Sequence, residues 1–294
     1  MTTTATTVQA AVQVFPFHHA DTGTWSYVVA DPASRQAAII DPVLDFDAKS
    51  AHITHVSAQK LLDCVNEHGF QVRWLLETHA HADHLTAAQW LAAQLPDAMV
   101  AIGQGIREVQ RTFAPVFELN PETAAGHFDC LFSDDDEFTL GAVRASAIPV
   151  PGHTRDSLAY LIGDALFTGD SLFMPDAGTA RCDFPGGDAA MLYRSIERLY
   201  QLPDSTRIFV CHDYGPGGRP VACETTIGEQ KRSNTHVRDG VSEAEFVALR
   251  EARDATLATP ALIIPALQVN LRAGVLPSPS SNGIRYLRMP LDQF

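Results

Sequence analysis

Apolar and polar positions alternate in short bursts from residue 12 onward. Residues 12–17, 25–30 and 37–40 carry the β-branched and aromatic side chains of strands, and the turn at 31–35 joins the second to the third as a hairpin. Leu61, Leu62 and Val65 recur at helical spacing over 57–68, and Gly69 supplies the left-handed stop. The run 72–77 reads as a short buried strand that delivers the chain to residues 78–84. LTAAQWLAAQL at 85–95 predicts a helix that Pro96 ends, so 78–84 is a strand-to-helix loop. A strand at 99–102, a helix at 106–113 and an irregular acidic stretch at 117–136 follow. Strands are predicted at 138–140, 143–150, 158–162, 165–168 and 207–210, with a helix at 189–201 between the last two. Residues 215–218 are loop, and 242–258 form a helix with Ser242 as N-cap and Glu245 completing a capping box. From Pro260 the tail reads as irregular packing with a short strand near 284–289. Two strand clusters, each followed by helices, predict two sheets covered by helices on both outer faces. The expected organisation is a flexible N-terminus over 1–10, a principal domain over 11–240, and a C-terminal extension over 241–294 packed on that domain.

Charge narrows the partners. Lys plus Arg number 21 and Asp plus Glu 35, a net charge of −14, which repels polyanions and argues against nucleic acid or an anionic membrane surface. No apolar run reaches the roughly 18 residues of a membrane span. The five cysteines are scattered without a CxxC pair and read as reduced thiols. The opening MTTTATTVQAAVQVF has no basic segment ahead of an apolar one, so the cytoplasm is the expected compartment. A homo-oligomer, with a dimer favoured, is the expected assembly.

The chemistry concentrates in Thr78-His79-Ala80-His81-Ala82-Asp83-His84, three imidazoles and a carboxylate in six positions at the end of a buried strand. Three more ligand-type residues each follow a predicted strand: His153 in PGHT, Asp170 in TGDS and His212 in CHDY. Nothing but a folded sheet brings such distant groups together. His18, His19, His52, His55, His68, His127 and His236 lie outside these motifs and read as surface or capping residues.

HAHADH, GHT, GDS and the late His212, in this order over most of the chain, resemble the metallo-β-lactamase superfamily. The resemblance implies an α/β fold, an αββα sandwich of two mixed sheets flanked by helices, with a metal site at one edge. All seven ligand positions of its two-zinc hydrolases are present: His79, His81, Asp83, His84, His153, Asp170 and His212.

A second resemblance is narrower. Arg181-Cys182-Asp183-Phe184, His212-Asp213-Tyr214 and the tail Asn270-Leu271-Arg272-Ala273-Gly274 look like the persulfide dioxygenases, relatives of glyoxalase II that bind iron. That resemblance implies one Fe(II) per chain on His79, His153 and Asp170, with His81 supporting them and Asp83, His84 and His212 serving catalysis beside them. It implies oxidation of glutathione persulfide by O2 and water to sulfite and glutathione. The two substrate carboxylates are expected on a basic cluster drawn from Arg181, Arg219, Lys231, Arg232 and Arg272, with Tyr214 donating a phenolic hydrogen bond. The alternatives are a binuclear zinc glutathione-thioester hydrolase of glyoxalase II type and a non-catalytic metal-dependent sensor.

Overall fold

Successive side chains of the central strands face different layers, and that alternation builds the molecule. The computed structural model describes residues 11–120 and 126–293, so the flexible N-terminus expected at 1–10 lies outside the described residues. The first half runs β1 (Gln13–His19), β2 (Thr24–Ala30), β3 (Gln36–Ile40), β4 (Val43–Asp47), β5 (His52–Thr54), α1 (Val56–His68), β6 (Gln71–Leu76), β7 (Leu85–Thr86), α2 (Ala88–Gln94), β8 (Met99–Gly103), α3 (Ile106–Phe113) and β9 (Cys130–Phe132). The second half runs β10 (Glu137–Leu140), β11 (Val143–Pro149), β12 (Leu158–Ile162), β13 (Ala165–Phe167), α4 (Ala189–Leu199), β14 (Arg207–Phe209), β15 (Glu224–Thr226), α5 (Ile227–Ser233), α6 (Glu243–Asp254) and α7 (Ile263–Asn270).

One six-stranded sheet has the order β1-β2-β3-β6-β8-β9, the other β10-β11-β12-β13-β14-β15, and β5-β4-β7 make a small third sheet. Both large sheets are mixed: β2 and β3 are antiparallel with Tyr27 opposite Ile40, whereas β3 and β6 are parallel with Ile40 opposite Leu76. In the second sheet β13 and β14 are the parallel pair, placing Phe167 opposite Phe209. Tyr27, Val29, Ala38, Ile40 and Leu76 point inward and meet Leu140, Tyr160, Ile162, Phe167 and Phe209 between the sheets. Their neighbours Val28, Ile39 and Leu75 point outward onto Leu61 and Val65 of α1, Leu91 of α2 and Val269 of α7. On the far side Ala159, Leu166 and Ile208 meet Leu192 and Ile196 of α4 and Phe246 of α6. The layers are helix, sheet, sheet, helix, and the C-terminal extension belongs to two of them.

The helix expected at 85–95 starts later. Leu85 and Thr86 pair with Leu44 and Val43, and Thr86 Oγ1 accepts from the Ala88 N–H at 3.0 Å. Sequence periodicity did not reveal this, because a two-residue strand carries no pattern. The acidic stretch at 117–136 contains β9, and residues 121–125 of it lie outside the described residues. The tail is less irregular than expected: α7 forms across Pro265, which occupies the first turn, where a missing N–H costs nothing. No strand forms at 284–289; the Gln268 side chain takes both the Arg288 N–H and its carbonyl, each at 2.8 Å. The helix from Ser242 does carry the capping box with Glu245. No described helix is long and apolar enough to cross a membrane, and all five cysteines are free.

Candidate metal centre

The ends of β3, β6, β11, β13 and β14 converge at one edge of the sandwich. After β3 the chain turns at Asp41, whose carboxylate accepts the Thr78 N–H at 2.7 Å and the Thr78 hydroxyl at 2.9 Å, fixing the start of the histidine loop after β6. With its proton given to Asp41, Thr78 Oγ1 accepts from His79 Nδ1 at 3.0 Å. His79 therefore turns Nε2 inward, 4.0 Å from Asp170 Oδ2. His153 arrives after β11 and donates from Nδ1 to the Arg181 carbonyl at 2.7 Å, which leaves its Nε2 3.5 Å from the same oxygen. Asp170 follows Gly169, whose φ of 52° and approach to Thr78 leave no room for a side chain: a Cβ there would lie 2.8 Å from Thr78 Oγ1.

The potential ligand atoms of His79, His153 and Asp170 form one cluster, all within 4.8 Å of one another and all buried. His81 falls in different groups. Its Nε2 is 3.0 Å from Asp41 Oδ1 and 3.7 Å from Glu77 Oε2. His212, which bridges to Thr24 at the start of β2, sets Nε2 3.3 Å from both Asp83 Oδ2 and Asp170 Oδ1. His84 Nε2 and His212 Nε2 are buried without a hydrogen-bond partner, as is Asp170 Oδ1, so a cation is the missing complement of this floor.

Burial, with four neighbouring imidazoles, holds His79 far below the usual histidine range, so it stands ready as a neutral ligand. Burial acts the same way on His81, reinforced by His84. Asp83 is held at about 2: burial works against this, but His212, His84 and His81 together outweigh it. Burial pushes Glu77 well above the carboxylate range, the Asp41 charge adding to it.

Above this floor opens a cleft of about 810 Å³, and Asp83, His153 and Asp170 lie along its lining. Of the six substrate-binding residues expected from sequence, Arg181 and Tyr214 line it and four do not. Tyr214 is exposed and stacks on His212 with ring centroids 6.0 Å apart. Arg181 is spent locally, in a bidentate pair with Asp183 at 2.6 Å and a bond to the Ala258 carbonyl at 2.7 Å. Arg219 is clamped between Asp176 and Asp213, Lys231 pairs with Asp204 and Arg232 with Glu229. Arg272 is half-buried and donates to the Gln268 carbonyl at 3.0 Å. The expected basic cluster is therefore corrected: in an acidic chain these cations find carboxylates and carbonyls nearer than one another.

Two cleft residues were missed in the sequence. His236, read as a surface or capping residue, is buried and accepts the Thr179 N–H at 3.0 Å. Arg253 is exposed on the cleft and makes no ion pair among the described residues. A histidine outside any motif and an arginine near a helix end give no sequence signal.

Comparison with known proteins matches these features. The model of the metallo-beta-lactamase superfamily fits residues 20–212. A beta-lactamase hydrolase-like protein of Agrobacterium fabrum is 50% identical over 275 residues, 92% of this chain but only 63% of that longer protein. Glyoxylase B2 of Dictyostelium discoideum is 42% identical over 97% of this chain and 98% of its own length. The mitochondrial persulfide dioxygenase ETHE1 of Bos taurus is 30% identical over 87% of each. The crystal structure of ETHE1 from Myxococcus xanthus superposes with a TM-score of 0.72 and 31% identity, covering 90% of this chain and all of that one. By the family match, the sandwich and the histidine-aspartate floor, the chain belongs to the metallo-β-lactamase superfamily.

Proposed function

We propose that the chain is a non-haem iron persulfide dioxygenase acting on glutathione persulfide, converting persulfide, O2 and water to glutathione, sulfite and two protons. One observation carries this reading: His79, His153 and Asp170 cluster by themselves, while His81 Nε2 is engaged by Asp41. Two neutral imidazoles and one carboxylate on one side of an ion are a donor set suited to Fe(II), and the buried, unpartnered Asp170 Oδ1 fits a cation at this place. His79, His153 and Asp170 would hold a ferrous ion by three groups, and such an ion would supply coordination positions for a sulfur anion and dioxygen. The likeness to ETHE1 proteins supports the same reading.

The chain's own groups have definable tasks in it. Thr78 and the Arg181 carbonyl fix the tautomers of His79 and His153, so both rings present Nε2. His212 holds its Nε2 between Asp83 and Asp170; burial lowers its pKa, and the charges of these carboxylates outweigh that and raise it. Phe184, whose ring lies 5.6 Å from that of His153, and Tyr214 form apolar walls that limit water at the cleft floor.

A second reading is a glyoxalase II-type thioester hydrolase with two zinc ions. The unpartnered Nε2 atoms of His84 and His212 favour it, because Asp83, His84, His212 and Asp170 could hold a second ion. The likeness to glyoxylase B2 supports it as well. The test is metal analysis and oxygen uptake after anaerobic Fe(II) reconstitution. Near one iron per chain with oxygen consumed on adding glutathione persulfide is expected. Two zinc ions per chain, fast S-lactoylglutathione hydrolysis and no oxygen uptake would overturn the proposal.

A further inference from the structure

The tail motif Asn270-Leu271-Arg272-Ala273-Gly274 is left without a task once Arg272 is seen to lie off the cleft. Its first residue has one. Asn270, the last residue of α7, is buried and uses its whole amide on the metal-binding loop and the strand that follows it. Nδ2 donates to the carbonyl of His81 at 2.8 Å and to that of His84 at 2.7 Å, while Oδ1 accepts the Thr86 N–H at 2.9 Å. These two carbonyls bracket Ala82 and Asp83, a segment exposed to the cleft and outside both large sheets. Without the amide, both carbonyls and an amide N–H would be buried with no partner.

Neighbouring contacts hold α7 where this requires. Gln110 donates to the Leu271 carbonyl at 2.7 Å. The turn after the helix presses on β7 so closely that a Cβ at Gly274, whose φ is 93°, would lie 2.9 Å from the Thr86 carbonyl oxygen. We infer that Asn270 is a positioning residue for the metal centre, shaping the His81–His84 segment so that the histidine loop binds its ion. The C-terminal extension is thereby part of the metal site although it supplies no ligand. The inference rests on a metal site at this loop and not on which metal fills it or which reaction follows.

The test is Co2+ affinity, measured by competition with a chromophoric chelator on the full-length apoprotein. Asn270→Asp keeps the volume and an acceptor for Thr86 but replaces the double donor with an acceptor facing two carbonyls. Asn270→Ala removes everything. Both should weaken Co2+ binding about 10–100-fold, the usual size for a lost supporting contact. Gln268→Ala is the control: Gln268 lies on the same helix, bonds to the Ile264 carbonyl within it and ties it to Arg288, and among the described residues none of its side-chain bonds reaches the metal loop. It should lower the melting temperature and leave Co2+ affinity within about twofold. Wild-type affinity in both Asn270 variants, or an equal loss in Gln268→Ala, overturns the inference, as does failure of both Asn270 variants to fold, which would make the residue a determinant of the fold and not of the site. Because the readout is metal affinity, loss of the dioxygenase reading leaves this result standing.

Discussion

His153 gives its Nδ1 proton to the Arg181 main-chain carbonyl 2.7 Å away, and this one bond decides which nitrogen faces Asp170. Arg181 thus contributes to the centre through its backbone, while its side chain is turned to Asp183. Sequence alone suggested a role for Arg181 at the substrate; the structure adds one that no substitution of the side chain can remove directly.

In the mononuclear reading, His79→Ala, His153→Ala and Asp170→Ala each abolish iron retention, because a coordination bond is lost. Asp83→Ala and His212→Ala should retain iron and lower turnover about 10–100-fold, as loss of a neighbour that orients ligands typically does. Iron content after gel filtration, beside oxygen uptake, checks both. If Asp83→Ala empties the site as fully as Asp170→Ala, the two-metal hydrolase takes the lead.

Three arginines belong to the cleft lining, and two are committed: Arg181 to Asp183, and the buried Arg250 to Asp254. In the persulfide dioxygenase reading, Arg253 is the one left to meet a substrate carboxylate. A charge-assisted bond contributes roughly 1.5–3 kcal/mol, so Arg253→Ala should raise KM for glutathione persulfide about ten- to a hundredfold with kcat little changed. Lys231→Ala, whose ammonium sits 2.8 Å from Asp204 outside the cleft, should change neither. Steady-state kinetics with glutathione persulfide and with a persulfide lacking carboxylates separates the two, the second substrate being indifferent to Arg253.

Most of the sandwich was legible because its strands are long enough to show which side chains alternate, as in Val28 against Tyr27 and Val29. The seven metal-type residues were legible because imidazoles and carboxylates at strand ends have few other uses. What escaped was set by tertiary partners. Leu85 and Thr86 look helical until β4 lies beside them. Pro265 looks like a breaker until it proves to sit in a first turn. Asn270 is one polar residue in an apolar segment until the His81 and His84 carbonyls come within reach. The cationic side chains were misplaced for a similar reason: each bound whichever acceptor the fold put nearest, and spacing along the chain says nothing about that.

Arg250 is the largest fully buried side chain among the described residues, with its guanidinium shared between the Thr179 carbonyl at 3.1 Å and the Asp254 carboxylate. Asp254 also accepts the Cys182 N–H at 2.8 Å, so the pair ties α6 to the strand-free segment that carries Arg181. Removing one partner strands the other charge in the interior. Asp254→Ala should therefore cost about 3–5 kcal/mol in a urea titration, and Arg250→Met with Asp254→Leu together should cost clearly less than the sum of the single changes. Equal additivity would mean the two side chains act separately.

His236 should make stability depend on pH. Its pKa is lowered to about 4, first by burial and then by the charges of Arg250 and Arg253, with Asp254 opposing. Nδ1 accepts the Thr179 N–H at 3.0 Å, a bond the imidazolium cannot make. An unfolded histidine titrates near 6.5, so between about 6.5 and about 4 the unfolded chain binds a proton that the folded one refuses. The contribution is complete above about pH 6.5, falls as pH drops through the window and is gone below about 4. Allowing for solvent screening at the cleft edge, it amounts to about 2 kcal/mol. Other groups titrate in the same range, so the measurement is a difference: urea midpoints of the wild type and of His236→Asn at pH 7, 5.5 and 4.5. Asparagine can offer Oδ1 where Nδ1 stood but takes up no proton. The wild type should lose more stability than the variant on acidification, and parallel losses would show that His236 is already protonated, or free to be, in the folded chain.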